Sequence, residues 1–308
     1  MTLRPIVIGV LLLAGSTCSF AASTLIANQF VAPSNLIGGA LPEMKRDTFT
    51  AQTGYPSSYS ASLDYSTGPI IDTSGNSVAP GHASTSISFN LPRGEFKLFS
   101  ESLLPSQGPT VGGLSSRSGI ILFDYLTIHS PTASSTSPTF LTLHLEADGE
   151  MSLLRPQELQ GNNSFFSTVL TARNETQRSF SSGHITSSCT SFAGTSDCSS
   201  AQGAGFNGGA FATVDPDLKD GGQDEITLRI PLYQETSVVQ FEVELTAGST
   251  QAVTDFSNTA KLFIDVPGGT YTSESGIMSA IPEPETYAMF LAGLGLMGLV
   301  PRRTVRIV

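Results

Sequence analysis

The run DPDLKDGGQDE at residues 215–225 gathers Asp215, Asp217, Asp220 and Asp224 on one breaker-rich segment. Hard divalent cations take clustered carboxylate oxygens on flexible loops, so the chemistry on offer here is calcium binding. The spacing departs from an EF-hand: Lys219 stands where the third ligand belongs and Asp220 where the glycine belongs. A solvated hairpin is the alternative. His82, His129, His144 and His184 show neither H-x-x-x-H nor H-E-x-x-H spacing, so they predict no zinc site. No G-x-S-x-G elbow is present. Asp124, Glu146 and Asp148 are carboxylates that a sugar-cleaving pair would draw on, and nothing in their spacing pairs them. The expectation is a protein without catalytic residues, resident metal or cofactor.

Cysteine usage depends on compartment. The N-terminus reads MTLRP, then the apolar IVIGVLLLAG, then the small and polar STCSFA. This is the pattern of a secretory signal peptide over residues 1–21, with Ser19 and Ala21 suited to the −3 and −1 positions and signal peptidase as the processing partner. Cleavage after Ala21 removes Cys18 and leaves Cys189 and Cys198, which enclose TSFAGTSD. An even pair in an oxidising compartment predicts a disulfide that pins a hairpin.

The body that must position these residues has strand chemistry throughout. STSISFNL, GIILFDYLTIH, TFLTLHLEA, SFFSTVLTA, EITLRIPLY, SVVQFEVELTA and AKLFIDVP are short apolar or alternating runs. In FLTLHLEA, Phe140, Thr142, His144 and Glu146 share one face against Leu141, Leu143 and Leu145 on the other. SPTASSTSP (130–138), DGE (148–150), QGNNS (160–164) and the acidic run supply the turns. Strands recurring without helical periods predict an all-β fold over residues 22–273, an antiparallel, jelly-roll-like β-sandwich. The first sixty mature residues carry weaker signals and are expected to be partly irregular. Asn162-Asn163-Ser164 and Asn174-Glu175-Thr176 are sequons, relevant only in a glycosylating host. With 13% charged residues, a net charge of −11 and no basic patch, the chain is unsuited to nucleic acid. It also lacks tryptophan, so a sugar platform would have to use Tyr or Phe.

The C-terminal stretch reads IPEPETYAMFLAGLGLMGLVPRR. Residues 274–286 form a linker in which Pro282 and Pro284 flank Glu283, fix φ and remove two backbone donors, predicting an extended, exposed segment. Tyr287 to Val300 carries no charge and, as a helix, covers about 21 Å of a bilayer core about 30 Å thick. Leu291, Leu294, Leu296 and Leu299 supply its apolar surface and Tyr287 an interfacial ring. Arg302 and Arg303 begin a basic tail, 301–308, that stays cytoplasmic under the positive-inside rule. The prediction is one short transmembrane helix over 287–300 with a weak grip.

Pro282-Glu283-Pro284, the Thr286-Tyr287-Ala288 step, the LAGLGLMGL span and the terminal arginines together resemble the PEP-CTERM sorting domain. The DYLTIHS, FLTLHLEADGEMS and DFSNTAKLFIDVPGGTYTSESG stretches are similar to β domains often found in such proteins. The resemblance implies export, a transient hold at the inner membrane, and cutting and transfer by an exosortase in bacteria that make exopolysaccharide. PRRTVRIV departs from the pattern by placing Pro301 before the arginines and appending apolar residues. The leading expectation is a non-enzymatic envelope or exopolysaccharide-matrix protein. A secreted carbohydrate-binding module is the alternative, and an extracellular hydrolase the third.

Overall fold

The computed structural model describes residues 23–33, 43–50, 52–66, 70–71, 77–78, 80–103, 114–154, 162–192, 195–216 and 223–277. The predicted signal peptide (1–21), Pro282, Glu283, Pro284, the span 287–300 and the basic tail lie outside these residues, as do Asp217 and Asp220. Among the described residues no helix is long and apolar enough to cross a membrane.

The strands are β1 (Thr24–Pro33), β2 (Glu43–Thr50), β3 (Ser58–Ser66), β4 (Ile70–Ile71), β5 (Ser77–Val78), β6 (His82–Asn90), β7 (Glu95–Leu103), β8 (Leu114–His129), β9 (Thr139–Leu153) and β10 (Asn163–Asn174). There follow β11 (Ser179–Phe192), β12 (Thr195–Asn207), β13 (Phe211–Asp215), β14 (Asp224–Leu232), β15 (Thr236–Thr250), β16 (Ala252–Asp265) and β17 (Thr270–Ser273). One sheet runs β12-β11-β10-β15-β8-β1-β2, with β17 also on β8; the second runs β13-β14-β9-β16-β7-β6-β3. Every pairing in them is antiparallel, and the two sheets face each other as a sandwich.

Period-two alternation builds the interior. Leu141, Leu143 and Leu145 on β9 meet Leu122, Leu126 and Ile128 of β8 and Phe241, Val243 and Leu245 of β15 in one core, all essentially without solvent exposure. Each such side chain contributes about 1.5–3 kcal/mol by leaving water. The early chain is more regular than its composition predicts. β1 is a ten-residue strand whose inward face is Leu25, Ala27, Gln29 and Val31. Gln29 fits there because its Nε2 donates across the sandwich, lying 3.0 Å from the Thr85 carbonyl and 3.2 Å from that of Ala61. Elsewhere serines take core positions: the hydroxyls of Ser100, Ser116 and Ser249 lie 2.7–3.2 Å apart between the sheets. Buried hydroxyls that satisfy one another carry little penalty, and they blur the apolar alternation that a sequence pattern relies on.

Two predicted breaks are corrected. Asp148-Gly149-Glu150 is not a turn but lies inside β9, opposite a register shift in β16 between Asp255 and Thr259. A Cβ on Gly149 would stand 2.5 Å from the Phe256 ring, so this glycine admits a neighbouring side chain into a bulged pair. The packed body also passes residue 273: Ser275 and Ile277, expected in a linker, are 6% and 0% exposed.

Candidate functional site

The two ends of the body meet on one edge of β8. Thr24 at the start of β1 pairs with Phe123, and Ser273 at the end of β17 pairs with Leu126, so the strands lie end to end with Asp124 between them. Asp124 is fully buried. Its Oδ2 accepts from the hydroxyls of Ser273 and Ser275, each at 2.5 Å, and its Oδ1 accepts from the amides of Tyr125 and Ser275 at 2.8 and 3.1 Å. The Ser23 hydroxyl lies 2.8 Å from Asp124 Oδ1 and 2.7 Å from Glu274 Oε2, with one proton to give. The Ser273 hydroxyl in turn accepts from the Ile277 amide at 3.0 Å. A carboxylate surrounded this way is a clamp: it ties the first described residue to the point where the chain leaves the body.

A different polar arrangement occupies the outward face of the second sheet. His144 and Glu146 on β9 point outward by period two, as their shared face predicts, and Glu225 on β14 stands in register beside Glu146. One ligand atom from each of the three lies within 4.8 Å of the others. His144 Nε2 is 2.9 Å from Glu146 Oε1, and its Nδ1 is 2.7 Å from the Thr227 hydroxyl. Along β9 from this cluster lie Phe140 and Thr142. The Arg229 guanidinium stands 4.7 Å over the Phe140 ring. Phe140 neighbours Phe211, which neighbours Phe206, with ring centroids 6.3 Å apart in both pairs. Phe206 and Phe211 are 56% and 51% exposed. An exposed aromatic group beside an arginine offers a stacking surface for a sugar ring, made from Phe where Trp is absent.

The remaining predicted residues divide clearly. Cys189 and Cys198 are disulfide-bonded and face each other in the β11–β12 register, pinning that hairpin as expected. Of the acidic run, Asp224 turns inward, is 2% exposed and accepts from the Ser187 hydroxyl at 3.0 Å. It is a core residue and its carboxylate does not join Asp215, which lies outward on β13 in register with Glu225. Period two makes Glu225, not Asp224, the outward carboxylate. Asp124 and Glu146 are in different sheets and form no catalytic pair. His129 makes an exposed side-chain contact with Glu235 at 3.7 Å. Both sequon asparagines are buried: Asn174 Oδ1 accepts from the Thr176 and Gln177 amides, and Asn162 Nδ2 donates to the Leu154 carbonyl. Neither is presented for modification.

Residues 280–303 match the family model described as the PEP-CTERM protein-sorting motif. The chain carries a PEP-CTERM motif. Neither a curated protein nor a solved structure matches the chain. The PEP-CTERM motif implies an exported protein, processed by an exosortase-type enzyme and sorted to the cell surface through the membrane. It begins three residues beyond Ile277, the last described residue of the packed body. Extended chain from Ile277 to Pro282 covers at most about 17 Å.

Proposed function

We propose that the protein is a non-enzymatic component of the cell envelope or exopolysaccharide matrix, delivered by its tail. A signal peptidase removes residues 1–21, the span 287–300 holds the folded sandwich at the inner membrane, and an exosortase-type enzyme cuts near Pro282-Glu283-Pro284. The observation that carries this reading is the sorting motif beginning directly after a clamped, fully packed β body. A short tether keeps the scissile region close to the membrane, where a membrane-embedded cutter works. Loss of Arg4 with the signal and of Arg302, Arg303 and Arg306 with the tail leaves the product more acidic than −11. Such a surface suits a hydrated matrix and disfavours self-association. The test is migration and fractionation in strains with and without the exosortase. A faster, released form that disappears without the enzyme supports the reading; identical migration in both strains contradicts it.

The exposed Phe206 and Phe211, beside Arg229 and half-buried Phe140, favour a second reading, in which the matrix component binds glycan directly. A glycan array probed with the protein and with a Phe206→Ser/Phe211→Ser variant tests it. Binding lost in the variant supports a glycan platform, and binding absent or unchanged removes it.

A further inference from the structure

We propose that His144, Glu146 and Glu225 form a binding site for a divalent transition ion of the zinc type on the outward face of the second sheet. The three residues bring their ligand atoms within 4.8 Å of one another from two neighbouring strands. Two ligands each about 2.1 Å from a shared ion stand at most about 4.2 Å apart. A small side-chain rotation at half-buried Glu225 therefore closes the site.

Three observations point to a cation rather than to a surface ion pair. First, the imidazole is already oriented: Nδ1 is held by Thr227, which leaves Nε2 directed at Glu146 Oε1. A second partner on the far nitrogen is the arrangement that fixes the ring of a metal-ligating histidine. Second, Glu146 and Glu225 are directly opposite in the ladder, where like charges destabilise a sheet, and Asp215 extends the same row on β13. Third, the nearest cation in that row does not relieve them. Lys261 is the register partner of Glu146 on β16, yet its ammonium lies 3.8 Å from Glu95. Among the described residues, the His144–Glu146 contact accounts for two members and leaves Glu225 without an ion pair.

The donor set selects the ion. One imidazole nitrogen and two carboxylates suit zinc with an open fourth position. Calcium and magnesium take oxygen ligands and gain nothing from the imidazole. Glu225 is the last residue of the acidic run at 215–225, but the four aspartates predicted as calcium ligands are not part of this site, and Asp224 among them is turned into the core.

The experiment is calorimetric titration of zinc into the tag-free full chain in detergent micelles after chelator treatment, with cobalt absorption as a readout of coordination. Thermal melts of each variant confirm that it is folded. The expected result is one zinc per chain and a visible cobalt band. Glu225→Gln should weaken binding at least tenfold, His144→Ala should abolish it, and Thr227→Val should weaken it roughly tenfold through the ring orientation. Calcium should give no comparable heat. No zinc heat in folded protein overturns the proposal, as does zinc binding unchanged in His144→Ala and Glu225→Gln. Calcium binding in place of zinc overturns it equally.

Discussion

Asp124 and the Glu146–Glu225 pair are two places where this fold gathers polar groups around carboxylates, and it treats them oppositely. Asp124 is excluded from solvent and surrounded by hydroxyl and amide donors drawn from residues 23, 125, 273 and 275. Glu146 and Glu225 stand side by side on an outward face, with one imidazole between two charges. Burial forces the first to be fully satisfied, because a buried charge without donors would not survive in the native state. Partial exposure lets the second remain under-compensated. The first region holds the molecule together at the point where its sorting tail departs. The second is available to bind.

The largest expected effect is at the clamp. Asp124→Ala leaves several buried donors without an acceptor, at about 1–3 kcal/mol each. Chemical denaturation should show a loss of about 4 kcal/mol or more, and a loss under about 1 kcal/mol would show that the clamp does not hold the ends. Next comes the covalent tie. Replacing Cys189 and Cys198 by serine should cost about 2–3 kcal/mol by the loop-entropy estimate. Its bridge closes a separation of only 9 residues, whereas Ser275 reaches Asp124 across 151. The clamp should therefore outweigh the disulfide, and the reverse order would break the comparison.

At the other carboxylates the sign inverts. In metal-free protein, Glu225→Gln should stabilise by up to about 1 kcal/mol, because it removes a like-charge pair across the ladder. Glu242 gives a related, pH-resolved case on the first sheet. Burial first, and then neighbouring Glu244, hold its carboxyl above the ordinary value of 4.5, against the Thr171 hydroxyl, which lowers it. A raised folded-state value stabilises most below the unfolded value and loses that contribution as pH rises through the folded one. Glu242→Gln should thus gain less than about 1 kcal/mol at neutral pH, and the gain should vanish in melts near pH 4. The smallest effect belongs to the outer face of β3 and β6, where Ser60, Ser62, Ser86 and Ser88 lie in register. Ser86→Ala should change stability by no more than about 0.5 kcal/mol.

Much of this was legible from residue types alone. Leu141, Leu143 and Leu145 announce β9, and the same alternation puts His144 and Glu146 on one outward face. Strands β1 and β11 are harder to see because Gln29, Ser181, Gly183 and Ser187 stand at inward positions where a pattern expects aliphatics. Gly149 reads as a turn residue because the reason for it, the Phe256 ring, comes from a distant strand. The sites divide along the same line. The disulfide is a local feature of one hairpin. The third ligand, Glu225, depends on the pairing of β9 with β14, and the Asp124 clamp on partners more than a hundred residues away. Only long-range register brings them together.

The central claim, that the tail is a temporary tether cut close to the clamped end of the sandwich, is tested most directly by intact-mass analysis of protein released from the cell. The account predicts a mass that begins near Ala22, includes the Cys189–Cys198 bond and lacks Arg302, Arg303 and Arg306. Released protein whose mass still contains those three arginines would contradict it.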